Sequence, residues 1–360
     1  MYLPQGSVQP TADQRSRPQS GRPPRAKKRV RGSGGTHVNG WTAKAVVITS
    51  DPPTIFIECQ SHQRLVSASR GAAMRMAILR NLAIYCAAAL IFPPTVSAEL
   101  RPKPAVSGPR LYVLDCGALA TDMPEGFNLT RDEVASTIMA NMCFLIVHPK
   151  GTFLWDTGVS DRFTGRPLGE FQPNKHVAVV RMRSLLGQLA DIGYTPDQIT
   201  YLSLSHAHWD HSGNGNLFSR TTTWLVSKAE RDFMFGPNGY TREKQDWVGL
   251  ETAKTIIIED NHDVFGDGSV IIKSAPGHSP GHSVAVVKLP KTGNVILAGD
   301  LYHFKEEATL NRMPDAERKT QTPQSRAMVA ALAKSLDAQV WIAHDLALSQ
   351  RLLHEPAYYD

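Results

Sequence analysis

The chain has 360 residues, of which 42% are hydrophobic and 20% are charged, enough apolar material for one large core or two smaller ones. Its formal net charge is +6, but residues 1–98 hold 13 of the 39 Lys and Arg residues and only 3 of the 33 Asp and Glu residues. Residues 99–360 therefore carry a net charge of about −4, so the basic character gives no support for a nucleic-acid-binding function of the folded part.

The chain begins with a stretch, residues 1–35, that is rich in Pro, Gly, Ser, Arg and Lys and has almost no periodic apolar pattern. This composition predicts disorder, because too little apolar surface can be buried to offset the entropy of ordering the chain. A basic cluster at residues 25–31 would fit a targeting or nucleic-acid-binding arm, but an unstructured extension is the simpler interpretation. We expect residues 1–73 to be disordered or to be an over-extended translation.

Residues 74–98 have the layout of a secretory signal peptide. A short positive region precedes eleven apolar residues, 82–92, and small residues at 96–98 form a cleavage site. The apolar run is too short for an ordinary transmembrane helix. We therefore expect translation to start at Met74 or Met76. A genuine long leader and a core segment that imitates a signal are the alternatives.

Cleavage after residue 98 would leave a mature chain, residues 99–360, which we expect to be periplasmic or secreted and to have no stable membrane anchor. Of the four cysteines only Cys116 and Cys143 would remain. A disulfide between them is allowed in an oxidising compartment, and two buried free thiols fit the sequence equally well.

The mature chain opens with the pattern of a mixed α/β domain. Short apolar runs predict strands at residues 111–116, 141–148 and 152–156. The spacing of apolar residues over 176–193 predicts an amphipathic helix.

A strand at 201–205 runs directly into a histidine-rich segment, and a strand at 223–227 leads into a helix at 228–235. A later helix is predicted at 324–336. The other predicted strands are at 255–259, 270–274, 283–289, 294–298 and 339–343, the last ending on His344. Because no linker composition separates these elements, we expect residues 99–360 to form a single domain.

The run HAHWDH at residues 206–211 is the strongest functional signal in the sequence. His206 and His208 are two apart at the end of a predicted strand, which puts both side chains on one face, where they can share a metal ion. A turn after His208 would carry Asp210 and His211 toward a second ion. Zinc binds neutral imidazole nitrogen and carboxylate oxygen, so this spacing favours a hydrolytic zinc site over a solvated, histidine-rich loop.

Four further blocks accompany this run. They are LWDTG at 154–158, APGHSPGH at 275–282, LAGD at 297–300 and IAHD at 342–345. With the blocks in this order, the chain resembles the metallo-β-lactamase superfamily over residues 110–350. The resemblance implies an α/β fold, an αββα sandwich with the metals at one edge, and two zinc ions (Zn2+) as cofactors.

The resemblance also implies a set of metal ligands. Carried over position by position, they are His206, His208 and His278 for the first zinc ion, Asp210, His211 and His344 for the second, and Asp300 between the two. His282 competes with His278 for the first site and would otherwise lie behind the ligands. Asp156 and Asp345 would hold ligand imidazoles by hydrogen bonds, or would serve as turn or cap residues.

Such a site predicts hydrolysis without a serine or cysteine nucleophile. A water shared by two zinc ions would lose its proton near neutral pH, and the bridging hydroxide would attack a carbonyl polarised by one ion. Asp210 would take up the proton and deliver it to the leaving oxygen. We expect opening of a lactone ring, above all of an N-acyl-homoserine lactone, a quorum signal. A β-lactamase, a thioesterase of the glyoxalase II type and a phosphotriesterase are the alternatives.

The choice of a lactone depends on Asp300 and on the aromatic residue behind it. The bridging aspartate resembles the lactonase and glyoxalase II branches, and N-acyl-homoserine lactonases have a tyrosine close behind it that can polarise the carbonyl. Here Tyr302 stands one position too early and His303 occupies the expected position. Either side chain could be the donor, and a packed aromatic is the alternative for Tyr302.

Three aromatic residues, Phe163, Phe233 and Tyr240, are predicted to contact an acyl chain at the mouth of the site, with core packing as the alternative. We expect a small-molecule substrate and no nucleic acid as partner, and we leave a homodimer open.

Overall fold

The computed structural model describes residues 42–47, 55–60, 106–166, 170–171 and 177–360. In one compact unit, β1 (Thr42–Val47) pairs with β2 (Ile55–Gln60) in an antiparallel manner. These two strands fall within the predicted N-terminal extension. The rest of that extension and the predicted signal peptide lie outside the described residues, so both remain predictions.

The second unit holds all described residues from 106 onward and contains two sheets. The strands of its larger, mixed sheet are β3 (Arg110–Thr121), β4 (Ile138–His148), β5 (Gly151–Trp155), β6 (Glu170–Phe171), β7 (Val177–Val180), β8 (Tyr201–Ser203), β9 (Thr223–Ser227) and β10 (Thr255–Ile258). They are hydrogen-bonded in the order β10-β9-β8-β5-β4-β3-β7-β6.

The smaller sheet follows in sequence. Its strands are β11 (His262–Asp263), β12 (Val270–Ser274), β13 (Ser283–Leu289), β14 (Gly293–Leu297) and β15 (Gln339–Trp341), paired in that order. The first four are antiparallel, whereas β15 runs parallel to β14 because the longest helix of the described residues returns the chain between them.

Helices cover the outer faces of the sheets and connect their strands. The α-helices of the described residues are α1 (Leu185–Asp191), α2 (Trp209–Ser212), α3 (Lys228–Phe235), α4 (Lys305–Thr309), α5 (Thr322–Leu336) and α6 (Leu346–Ser349). None of them is long and apolar enough to cross a bilayer.

Alternate residues of the central strands face opposite sides of the larger sheet. Leu111 of β3 packs into a cluster that also contains Val270 of β12, so this cluster lies between the two sheets. The next residue, Tyr112, packs with Leu185 of α1 on the other face. On the far side of the smaller sheet, Val329 of α5 packs against β13 and β14. These layers confirm the αββα sandwich that the resemblance to the superfamily implied.

The helix predicted over 176–193 is wrong in its first half. Residues Val177–Val180 form strand β7, which pairs with β3 through Ala118 and Val180. Three of these four residues are valines, whose branched side chains fit a pleated sheet better than a helix. The helix itself begins at Leu185, because the Ser184 hydroxyl accepts a hydrogen bond from the Gly187 amide at 3.0 Å and caps it.

Cys116 and Cys143, the two cysteines of residues 99–360, form a disulfide. Cys116 of β3 and Cys143 of β4 have Cα atoms 5.7 Å apart, and both side chains are buried. The bond joins two neighbouring strands of the larger sheet. Of the two states that the sequence left open, the structure contains the disulfide.

Candidate metal centre

The histidine-rich segment lies between β8 and α2. After the strand ends at Ser203, His206 and His208 lie in the connection, with His208 as the residue that precedes the first helical turn. Asp210 and His211 lie in that turn. A four-residue helix that starts directly after the second histidine therefore brings all four side chains to one edge of the sheet.

The segment is tied to the loop that follows β5. Thr157 donates its amide hydrogen to the His211 carbonyl at 2.8 Å, and Gly213 donates to the Gly158 carbonyl at 2.9 Å. A Cβ atom at Gly213 would lie 2.5 Å from the backbone nitrogen of Ser160. Glycine is therefore required at this position for the two backbones to approach so closely.

The seven side chains named by the resemblance come together as two buried groups. The first group is His206, His208, His278 and Asp300, and the second is Asp210, His211, Asp300 and His344. Within each group, one ligand atom of every member lies within 4.8 Å of the others. Asp300 belongs to both groups.

The imidazole nitrogens of the first group point at one another. His278 Nε2 lies 3.2 Å from His206 Nε2 and 2.9 Å from His208 Nδ1. Burial, and after it the repulsion between neighbouring imidazoles, lowers the pKa of His206 and of His208 well below the ordinary value, so both are neutral near pH 7. Neutral imidazoles that face one point present their lone pairs to it, and this donor set fits a zinc ion.

Asp300 turns one carboxylate oxygen toward each group. Its Oδ1 lies 2.9 Å from His211 Nε2 and 3.1 Å from His344 Nε2, whereas its Oδ2 lies 3.6 Å from His206 Nε2 and 3.5 Å from His278 Nε2. Although burial raises the pKa of Asp300, the facing imidazoles lower it well below the ordinary value, so the group is a carboxylate. This arrangement fits a carboxylate that bridges two cations.

Three of the imidazoles are held through their second nitrogen by a carboxylate or a backbone carbonyl. The pairs are His211 Nδ1 with Asp156 Oδ2 at 3.0 Å, His278 Nδ1 with Glu317 Oε1 at 2.9 Å, and His344 Nδ1 with the Ala140 carbonyl at 2.7 Å. Such contacts fix the ring orientation and the tautomer that leaves the other nitrogen free for a metal.

The orienting role predicted for Asp345 is wrong. Its Oδ1 accepts a hydrogen bond from the Leu348 amide at 3.0 Å and caps α6, the alternative that the sequence had left open. His344 is oriented instead by a backbone carbonyl of β4, a partner that cannot be recognised from side-chain identity.

His282 lies behind the first group, and His278 belongs to it. The Nδ1 atom of His282 donates to the Ala275 carbonyl at 3.0 Å, and its Nε2 accepts from the Asp300 amide at 3.1 Å. Both ring nitrogens are therefore engaged with backbone. The fully buried ring, whose pKa burial lowers to about 3, holds the backbone of Asp300 in place.

Glu230 is a buried carboxylate that the sequence analysis missed. Its Oε1 accepts from the Ala207 amide at 2.6 Å, and its Oε2 accepts from the Ser279 hydroxyl at 2.7 Å and the Gly281 amide at 2.8 Å. Glu230 thus joins the loop of His206 to that of His278, and burial raises its pKa to about 7. In the sequence it was one more polar residue of a predicted helix.

His303 and Tyr302, the two candidate donors that follow Asp300 in the chain, point in different directions. His303 directs its Nε2 toward Asp300 Oδ2 at 3.6 Å, and its ring lies 5.0 Å from that of His278. Tyr302 points away, with the Arg326 guanidinium 4.4 Å above its ring. Tyr302 therefore lies away from the metal groups and His303 lies beside them. Although burial lowers it, the Glu307 carboxylate raises the pKa of His303 to about 9.

The three aromatic residues predicted to contact an acyl chain do not share one surface. Phe163 is 2% exposed and packs in a cluster with Trp209, beneath the Arg162 guanidinium. Tyr240 is buried in a different cluster, where its hydroxyl accepts a hydrogen bond from the Trp209 amide at 3.2 Å, and Phe233 packs beside it. Phe163 and Tyr240 are thus buried in the core, and the ring of Tyr240 lies 5.2 Å from that of His208.

These features define an αββα protein with a His/Asp centre whose side chains form two groups that share Asp300. A model of the metallo-beta-lactamase superfamily matches residues 137–339. The chain belongs to the metallo-beta-lactamase superfamily.

Several relatives are similar over about 70% of the chain. The chain is 30% identical to the N-acyl homoserine lactonase AttM of Azorhizobium caulinodans, covering 70% of this chain and 98% of that protein. It is 28% identical to the protein of the same name from Agrobacterium fabrum, covering 69% and 98%. A crystal structure of a B. thuringiensis AiiA variant with N-decanoyl-L-homoserine bound at the active site matches with a TM-score of 0.59 at 22% identity, covering 69% and 98%, which shows a common fold.

Proposed function

We propose that this protein opens the lactone ring of N-acyl-homoserine lactones, a quorum-quenching hydrolysis, at a centre of two zinc ions. One observation carries the proposal: the similarity to an N-acyl homoserine lactonase extends over 98% of that enzyme, and within it both His/Asp groups are complete. The product would be the N-acyl-homoserine, with one acid equivalent released for each ring opened.

The residues present fit the proposed metals. The first group would hold one zinc ion, the second group would hold the other, and Asp300 would contribute one oxygen to each. Bound zinc supplies a water of lowered pKa and a Lewis acid for the carbonyl. Metal analysis of the purified protein should give about two zinc ions per chain.

Asp210 is the residue that we propose to move the proton. Its Oδ2 lies 3.8 Å from His211 Nε2 and 3.6 Å from His344 Nε2, at the edge of the second group. A carboxylate so placed can accept the proton that water loses when it adds to the carbonyl carbon. It then returns this proton to the ring oxygen as the carbon–oxygen bond breaks.

His303 is the side chain that we propose to contact the lactone. Its ring stacks parallel to that of His344 at 6.2 Å and packs against Phe127 at 4.6 Å, so it closes the site on the side of Asp300. A hydrogen bond from this ring to the carbonyl oxygen would hold the substrate and stabilise the negative charge that develops there.

A substrate panel tests the proposed function. The purified protein would be assayed with an acyl-homoserine lactone, a cephalosporin, a thioester and a phosphotriester, with the Asp210→Asn, His211→Ala double variant as the inactive control. We expect the lactone to have the highest kcat/KM. Faster turnover of the cephalosporin or of either other substrate would reject the lactonase assignment, and equal activity of the double variant would reject the metal site.

We also propose that the enzyme acts outside the cytoplasm. The Cys116–Cys143 disulfide supports this location, because such bonds persist in oxidising compartments. The signal-like sequence at 74–98 supports it independently. Mass spectrometry of the protein from a periplasmic extract should find an N-terminus at Glu99, and an intact N-terminus in the cytoplasmic fraction alone would contradict export.

A further inference from the structure

Behind His303, on the side away from the metal groups, lies a buried carboxylate. Glu307 is fully buried in the first turn of α4. Its Oε2 lies 3.3 Å from His303 Nδ1 and accepts hydrogen bonds from the backbone amides of His303 and of Phe304, the latter at 3.2 Å. One oxygen atom therefore holds both the backbone and the ring of His303.

The other oxygen of Glu307 is held in turn by Arg326 of α5. The guanidinium Nη2 lies 3.3 Å from Glu307 Oε1, and its Nε donates to the Leu301 carbonyl at 2.8 Å. Arg326 is 7% exposed, so this ion pair is shielded from water. The segment from Leu301 to Phe304, directly after Asp300, is thus fixed at both ends by one buried pair.

We propose that Glu307 is a positioning residue of the lactonase. By accepting a hydrogen bond from Nδ1 of His303, it fixes the rotamer in which the Nε2–H group faces the carbonyl oxygen of the substrate. This inference rests on the proposed function, because it assigns Glu307 a task in the same reaction. A neutral alternative is that Glu307 serves only as the cap of α4, since the same oxygen accepts the amide hydrogen of Phe304.

A double-mutant cycle separates the two roles. Glu307→Gln keeps the shape and an acceptor for the amide hydrogens but removes the charge that holds the ring. We expect kcat to fall by about 10- to 100-fold with KM changed less than about threefold, as for other partners of active-site histidines. In a His303→Phe background the same substitution should lower kcat by less than about twofold, because the ring that it positions is gone. A cap acts independently of the ring, so an equal factor in both backgrounds would overturn the proposal.

Two controls allow the proposal to be tested even if one of the variants folds poorly. Melting temperatures are measured for every variant, and Glu307→Asp and His303→Gln repeat the cycle with other side chains. Nitrogen-15 NMR of the histidine rings gives a readout that needs no substrate: in the wild-type protein Nδ1 of His303 should carry a proton that Glu307 accepts and Nε2 should carry the proton that faces the substrate, and Glu307→Gln should change the Nδ1 signal. An unchanged His303 signal would reject the positioning role even if the enzyme acts on lactones. Failure of the wild-type enzyme on lactones, with the signal shifted as expected, would reject only the reaction.

Discussion

The two sides of the metal centre are built in different ways. On the motif side, residues 206–211, four candidate ligands lie within six residues, and a strand and a short helix place them. On the closing side, residues 300–326, His303 is held by Glu307, and longer-range contacts complete the arrangement. Glu317 reaches back to His278, and Arg326 reaches back to Glu307.

The difference shows which interactions hold the candidate site residues in place on each side. On the motif side, backbone contacts and two buried carboxylates act together: Gly213 packs on the loop after β5, Asp156 contacts His211, and Glu230 accepts from the Ala207 amide. On the closing side two buried carboxylates, Glu307 and Glu317, each hold one histidine. A buried carboxylate without its partner is costly, so this side is expected to tolerate fewer substitutions than its irregular backbone suggests.

Loss of ligands on the motif side should have the largest effect. In the Asp210→Asn, His211→Ala variant, we expect kcat/KM for the lactone to fall by about 10³-fold or more, because several kcal/mol of transition-state stabilisation depend on the metals. Zinc content should fall with it. Asp345→Asn is the matched control, since Asp345 caps α6: its zinc content should match the wild type, and a loss of zinc there would restore the orienting role predicted from the sequence.

The features of the fold and of the site that could be predicted from the sequence follow the same division between the two sides. The αββα layers could be anticipated through the resemblance to the superfamily, and the grouping of His206, His208, Asp210 and His211 from the residues themselves, because a compact motif is a local signal. The helix α4 could not, because its five residues give no periodic pattern. Glu230, Glu307 and Glu317 could not either, because a buried carboxylate and a solvated one look alike in a sequence, and only the fold supplies their partners.

Removal of the disulfide beneath the motif side should have the next largest effect. Cys116 packs against Gly158, whose loop carries Asp156, and the bond closes a loop of 27 residues. Replacing both cysteines by serine should lower the free energy of unfolding by roughly 3–4 kcal/mol, the entropy of closing a loop of about this length. Urea denaturation of the oxidised wild-type protein and of the variant measures it. A difference in the free energy of unfolding of less than about 1 kcal/mol would mean that the disulfide does not stabilise the motif side as proposed.

A smaller effect is expected from Glu317→Gln on the closing side. Since Glu317 orients a candidate ligand, His278, zinc affinity should fall by about 10- to 100-fold while kcat at saturating zinc changes less. Glu307→Gln should show the reverse pattern, with kcat lowered and zinc affinity changed less. The two variants together therefore test whether Glu317 holds a metal ligand and Glu307 holds a residue that faces the substrate. If both variants lose zinc equally, the distinction between a ligand-holding and a substrate-facing carboxylate is wrong.

Glu317 also predicts a dependence of stability on pH in the metal-free protein. Although burial raises it, the hydrogen bond from His278 lowers the pKa of Glu317 from 4.5 to about 2. A folded-state pKa below the unfolded value stabilises the fold above pH 4.5, and this stabilisation is lost as the pH falls toward 2. Unfolding by urea at pH 6 and at pH 3.5 should therefore show a smaller acid-induced loss for Glu317→Gln than for the wild type. Equal losses would mean that the carboxylate is not paired in solution.

The smallest effect is expected for Tyr302→Phe, which is compared with His303→Phe at the two candidate positions that follow Asp300. Tyr302 packs under Arg326 and faces a cavity of about 260 Å³ that Asn311 and Met313 also line, away from the metal groups. Removing its hydroxyl in Tyr302→Phe leaves the ring and the stacking in place, so kcat/KM should stay within about twofold of the wild type. His303→Phe should lower it by at least about tenfold, because a donor to the carbonyl oxygen is lost. The opposite ranking would return the tyrosine to the active site and would mean that the segment after Asp300 rearranges when substrate binds.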